Sequence, residues 1–303
     1  MGKIKTMKKA YFILILAIGL FLNACNLKTQ KADKSQTIEN LYLSQKPPGL
    51  IPEAFAPEIV STEHYEYGGT FTPNMKEFYL IRNGGKYTKS TFVVFQYKND
   101  QWIESIVSKR VGQPMFSADG KTMHLGGRYM ERTKIGWSDL KHLEAPFEDD
   151  SDMFIMRLSS SENGTYYFDT YKKNSPNFPI RYSQKIDGKY EKPKALSKAI
   201  NKGTNLSHPF IAPDESYLIW DAKREDGYGS SDIYISFKQQ DGSWSNPINL
   251  GDKINTEAWE AAASVTPDGK YLFFNRNIGS NSYENVDIFW VDAKIIETLR
   301  PKQ

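Results

Sequence analysis

The feature that most constrains this chain is a turn followed by an apolar strand, which returns five times. Its clearest copy is Thr266-Pro267-Asp268-Gly269-Lys270 leading into Tyr271-Leu272-Phe273-Phe274. Proline, aspartate and glycine set a tight turn there, and the aromatic run sets a strand. Thr72-Pro73-Asn74 likewise precedes Phe78-Tyr79-Leu80, and Ser117-Ala118-Asp119-Gly120 precedes Met123-His124-Leu125. Ser160-Ser161-Glu162-Asn163 precedes Tyr166-Tyr167-Phe168, and Ala212-Pro213-Asp214-Glu215 precedes Tyr217-Leu218-Ile219-Trp220. With Asn74, Asp119, Glu162, Asp214 and Asp268 equivalent, the spacings are 45, 43, 52 and 54 residues. One such turn says little, but five in register describe a repeat protein.

Longer matches extend the repeat. Residues 187–220 superpose on 241–274 at a constant offset of 54, and Thr62-Glu63-His64-Tyr65-Glu66 matches Thr256-Glu257-Ala258-Trp259-Glu260 at an offset of 194. A unit of this length holds four short strands, which predicts an all-β chain folded as a β-propeller of four-stranded blades. Five blades follow from the five motifs, with a degenerate sixth as the alternative. The last repeat stops after its third strand, Asp287-Ile288-Phe289-Trp290-Val291, so Pro57-Glu58-Ile59-Val60 is expected to supply the missing fourth strand and close the ring. The repeats, over about residues 57–293, resemble the WD-like, Pro-Asp-containing repeats of TolB-like periplasmic proteins. That resemblance implies a propeller fold and an envelope setting.

The first residues read differently from the rest. Lys3, Lys5, Lys8 and Lys9 precede the apolar run Tyr11–Leu22, which at 12 residues is too short to span a bilayer and suits a secretory signal. Leu22-Asn23-Ala24-Cys25 then resembles the lipobox of bacterial lipoproteins, which implies cleavage before Cys25 and lipid attachment (palmitate among the acyl chains) to that residue. Cys25 is the only cysteine in the chain, so it has no disulfide partner in an oxidising compartment. The expected organisation is a signal peptide over 1–24, a lipid-anchored flexible tether over 25–45, and a propeller with a proline-rich lead-in over 46–303. Asn26 in place of the aspartate of the inner-membrane sorting rule points to the outer membrane, with the domain facing the periplasm. Removing residues 1–24 takes the formal charge from +3 to −1. No basic patch with interleaved aromatics remains, which argues against nucleic acid as a partner.

Residues that open the inner strands converge on the central channel of a propeller. Tyr65, Glu66, Gln113, His208, Trp259 and Glu260 are therefore the candidate ligand-binding residues, able to hold a sugar, a peptide terminus or a cation. The repeated aspartates are assigned to turn geometry, and Trp102, Trp244 and Tyr190 to packing. The chain has four histidines and no Gly-x-Ser-x-Gly, His-Glu-x-x-His or phosphate-binding glycine motif. No catalytic residue, metal ligand or cofactor is assigned. The expectation is a non-enzymatic binding or scaffolding module for an envelope protein or glycan. The alternatives are a glycan-active hydrolase of the propeller type and an accessory subunit of a TolB-like translocation complex.

Overall fold

The computed structural model describes residues 40–147, 153–172 and 179–301. The expected signal peptide, Cys25 and most of the expected tether lie outside the described residues. The chain divides into two compact units, 1–47 and 48–303. In the described part of the first, Gln45 N–H donates to Tyr42 O at 3.0 Å. Among the described residues no helix is long and apolar enough to cross a membrane.

The described residues from 48 onward form successive antiparallel sheets. Sheet I comprises Tyr65–Phe71, Glu77–Gly84, Tyr87–Lys98 and Gln101–Lys109. Sheet II comprises Met115–Phe116, Thr122–His124, Arg128–Thr133 and Lys141–His142, with Gly136–Trp137 folded onto its third strand. Sheet III is Leu158–Ser160, Tyr166–Phe168, Arg181–Ser183 and Lys194–Ala195, and sheet IV is Thr204–Ile211, Tyr217–Lys223, Asp232–Phe237 and Ile248–Asn249. Sheet V has three consecutive strands, Glu260–Val265, Tyr271–Asn277 and Val286–Asp292. A short helix, Lys294–Leu299, follows and buries Ile296.

In sheets I and IV the second strand is covered on both faces and carries a continuous apolar run rather than an alternating one. Phe78, Tyr79, Leu80 and Ile81 are all buried, as are Leu218, Ile219 and Trp220. The edge strand Gln101–Lys109 faces solvent and is mostly exposed. Each contact between sheets carries its own core. Tyr79 and Phe92 of sheet I meet Met123 and Leu125 of sheet II, and Tyr129 and Leu143 meet Leu158 and Phe168 of sheet III. Tyr167 meets Leu218 and Trp220, and Ile219, Ile233 and Ile235 meet Leu272 and Phe274. Sheet V then packs back on sheet I, with Ala261, Ala262 and Val286 against Tyr67 and Ile81. One parallel pair, Tyr65 with Val286, joins the two sheets along that seam.

A fourth strand does reach sheet V from the N-terminal side, but not from Pro57–Val60. Glu53–Ala54 pairs antiparallel with Trp290 and Phe289, and Phe55 N–H donates to Ile288 O at 2.8 Å. Residues 57–60 turn away instead. Ala56 and Glu58 have φ of +43° and +67°, and Val60 N–H returns to Ala56 O at 2.7 Å. The offset of 194 explains the correction, because it maps Ile248–Asn249 onto Ala54–Phe55 and maps Lys253–Ile254, a turn, onto Ile59–Val60. Two arginines hold those equivalent turns in the same way. Arg276 Nη2 donates to Ile254 O at 3.0 Å, and Arg82 Nη2 to Val60 O at 2.8 Å.

The turn residues that define the repeat have the role assigned to them. Asn74, Asp119 and Asp268 each accept a hydroxyl hydrogen bond from the residue two before and a backbone N–H from the residue two after. These local bonds offer the backbone an alternative to continuing the strand.

Candidate functional site

The repeat places one residue in or just before each inner strand, six before the turn residue: Gly68, Gln113, Met156, His208 and Ala262. At Gly68, His208 and Ala262 the backbone is left-handed, with φ of +67°, +54° and +56°. The register shifts there in all three strands. Such a bulge leaves a backbone N–H outside the ladder, and a buried N–H must find an acceptor. The second strand of the preceding sheet supplies it. Asp169 Oδ2 accepts from His208 N–H at 2.8 Å, Asp221 Oδ1 from Ala262 N–H at 2.9 Å, and Asn275 Oδ1 from Gly68 N–H at 3.0 Å. These three acceptors are the residues seven after the turn residues of sheets III, IV and V. In sheets I and II the same position holds Ile81 and Gly126, so the latch is missing there.

A directed chain of hydrogen bonds runs through the latched side. Asp221 accepts from His208 Nδ1 at 2.8 Å, so that nitrogen carries a proton. In the neutral ring Nε2 is then an acceptor, filled by the Tyr67 hydroxyl at 2.8 Å. Gln113 Nε2 donates to the same hydroxyl at 3.1 Å. Burial pushes the Tyr67 phenol well above its ordinary value, reinforced by the nearby Tyr65 phenol and the Asp221 carboxylate. It stays protonated and serves as a connector. Arg157, 3% exposed, reaches Ala263 O at 3.0 Å and the sulfur of Met115. Burial lowers its pKa, while Tyr67, Asp221 and Asp169 act in the opposite direction.

Four of the six predicted residues meet around this chain. Tyr65 stacks on Tyr67 at 5.7 Å and Trp259 stacks on Tyr67 at 6.0 Å, with Gln113 and His208 bonded to its hydroxyl. Glu66 and Glu260 do not join them. Adjacent strand residues point to opposite faces, and each glutamate instead caps the turn before its strand. Glu66 accepts from Thr62 N–H and Oγ1 at 3.0 and 2.8 Å and lies 3.6 Å from Arg82 Nε. Glu260 accepts from Thr256 N–H and Oγ1 at 3.0 and 2.6 Å and pairs with Arg276 Nε at 2.8 Å. Their equivalence is structural. Tyr67, Asp169, Asp221, Asn275 and Arg157 are central residues that the inner-strand reading did not single out.

Two clefts flank the group. One, of about 380 Å³, is lined by His208, Asp221, Trp259 and Tyr283 among others. The other, of about 850 Å³, opens on the side that lacks latches, where Gln113, Arg110, Arg128 and His142 face an apolar wall that includes Leu143, Phe147 and Ile155. Among the described residues no cluster of three or more His, Cys, Asp or Glu is arranged to hold a metal ion.

No protein-family model matches the sequence, and no curated protein matches it. Among solved structures, the chain is similar to TolB from Acinetobacter baumannii, with a TM-score of 0.43, 11% identity, and 74% of this chain aligned to 54% of that one. It therefore spans about half the length of that protein. It is also similar to a luciferin-regenerating enzyme, with a TM-score of 0.49 and 10% identity over 80% of this chain and 95% of that one. A gluconolactonase from Xanthomonas campestris aligns with a TM-score of 0.46 and 9% identity, over 76% of this chain and 86% of that one. These are propeller-type proteins. This chain folds into successive antiparallel sheets, with almost no helix, and its last sheet packs on its first.

Proposed function

We propose that this chain is a lipid-anchored β-propeller of the bacterial cell envelope, with five four-stranded blades closed by Glu53–Ala54, acting as a binding or scaffolding module for an envelope protein or glycan. The lipid anchor at Cys25 and the placement at the outer membrane, facing the periplasm, rest on the sequence alone. One observation carries the binding reading. The axial imidazole and carboxylates are spent on holding sheets together, while the cleft beside Gln113 presents polar side chains to an apolar wall. Glycoside hydrolysis asks instead for two carboxyl groups of unlike environment facing one pocket, and among the described residues no carboxylate lines the 850 Å³ cleft.

Incubation of the full chain, in detergent, with fragmented murein and lipopolysaccharide glycans separates the two classes by mass spectrometry. A binding module retains fragments and releases them at unchanged mass. Shortened fragments would identify a hydrolase and overturn the reading.

A further inference from the structure

Every side chain in the axial hydrogen-bond chain has its polar atoms used, except at one end. Gln113 is 6% exposed, its Nε2 is spent on Tyr67, and its Oε1 is buried with no partner. With the His208 ring neutral, turning the amide round gives no relief, because the Tyr67 proton then goes to His208 and the phenol oxygen accepts. A buried acceptor left unpaired is destabilising. Gln113 lines the 850 Å³ cleft, so the missing partner is a donor placed there.

Among the described residues that line the same cleft, no side chain is acidic. Arg110 lies over the Tyr67 ring at 5.8 Å and hydrogen-bonds the Tyr65 side chain. Arg128 donates to Val111 O. Neither forms an ion pair with a carboxylate among the described residues, and His142 is the third titratable group on the rim. Apolar surface from Leu143, Phe147 and Ile155 completes the wall. Arginine is suited to carboxylates by its planar fork of donors, while the lone acceptor asks for a hydroxyl.

We propose that this cleft binds a hydroxylated carboxylate, of the uronic-acid type, with the acid at Arg110 and Arg128, a hydroxyl donating to Gln113 Oε1, and the carbon face of the ring on the apolar wall. The assignment rests on the binding reading above and names its ligand class.

The test is calorimetric titration of the full chain, in detergent, with glucuronate, its methyl ester and glucose. Glucuronate is expected to bind, at least about tenfold more tightly than the ester or glucose, and to weaken as salt rises. Arg110→Gln, at an exposed position, and Arg128→Gln are each expected to reduce glucuronate affinity about tenfold, with both variants still folded by circular dichroism. Gln113→Leu is expected to weaken glucuronate and glucose alike. Equal binding of acid and ester, or unchanged affinity in both arginine variants, overturns the acid-ligand assignment and leaves the binding module standing. No heat with any of the three at about 50 mM ligand also overturns it. Glycan fragments retained from the envelope would still support the wider reading in that case.

Discussion

The two sides of the molecule are joined by different means. From sheet III through IV and V to I, each interface is bolted by a side chain that reaches from a second strand to a bulged N–H of the next sheet, through Asp169, Asp221 and Asn275. From sheet I through II to III there is no such bolt. Ile81 packs apolar surface, and Gly126 brings backbone against backbone, with Gly127 N–H donating to Ile155 O at 3.1 Å. A Cβ on Gly126 would sit 2.4 Å from Ile155 O, and its φ is +72°. The larger cleft lies on this second side. Polar residues where the inner strands meet can thus be structural on one side, while the side without them holds the larger of the two clefts.

The largest expected effect comes from breaking the bolt that also orients the histidine. Asp221→Ala leaves Ala262 N–H and His208 Nδ1 without their acceptor in a buried site, and is expected to lower unfolding free energy by about 3–5 kcal/mol in denaturant titration. Asn275→Ala removes the donor to Glu66 O together with the acceptor of Gly68 N–H, and should cost about 2–3 kcal/mol. Substitution of Ile81 or His142, which bolt nothing, by residues of similar size should be milder.

The two sides also answer pH with opposite sign. At the seam between sheets V and I, Asp287 Oδ1 is buried without a partner. Burial, and then the neighbouring Glu66 charge, push its carboxyl up to about 7. A folded-state value above the unfolded one means that the native state holds an extra proton between about pH 4 and 7. This contribution to stability is full below pH 4 and is lost as pH rises to 7. Asp287→Asn should therefore stabilise the chain at pH 8 by roughly 2 kcal/mol, after discounting for solvent screening, and the gain should vanish near pH 4. In sheet II, burial lowers the His124 imidazole to about 4, and neither ring nitrogen has a partner. Its effect runs the other way, with stability lost as pH falls from about 6.5 to 4. His124→Phe should remove that acid sensitivity and change stability at pH 8 by less than about 1 kcal/mol. Melting curves of the two variants across pH 4–8 check both signs.

The turn-and-strand repeat made the all-β layering and the turn role of its aspartates readable in the sequence, because local backbone chemistry repeats with the residues. The fourth strand of sheet V was misplaced by four residues. The β-branched pair Ile59-Val60 looks like a strand, yet the constant offset pointed to Ala54 and Phe55. There Phe55, fully buried, packs on Phe78, Phe273 and Trp290, whereas sheet IV has Asn249, which donates to Asp232 at 2.7 Å. Asp287 occupies the matching place to Asp232 and has no such amide. The bolts were harder to see. Position seven after the turn is acidic or amide in only three repeats, so it reads as variation until the bulges give it a purpose. Glu66 and Glu260 were matched to each other correctly, but their threonines four residues earlier, which reveal the capping role, are visible only as part of the same match.

Hydrogen exchange at single amides tests the unequal joining most directly, in the wild type and in Asp221→Ala under conditions where both stay folded. The account predicts that Ala262 N–H, strongly protected in the wild type, loses protection by at least about tenfold in the variant together with its neighbours in sheet V, while Gly127 N–H on the cleft side keeps its rate. Equal loss of protection at Gly127 and Ala262, or no loss at Ala262, would contradict it.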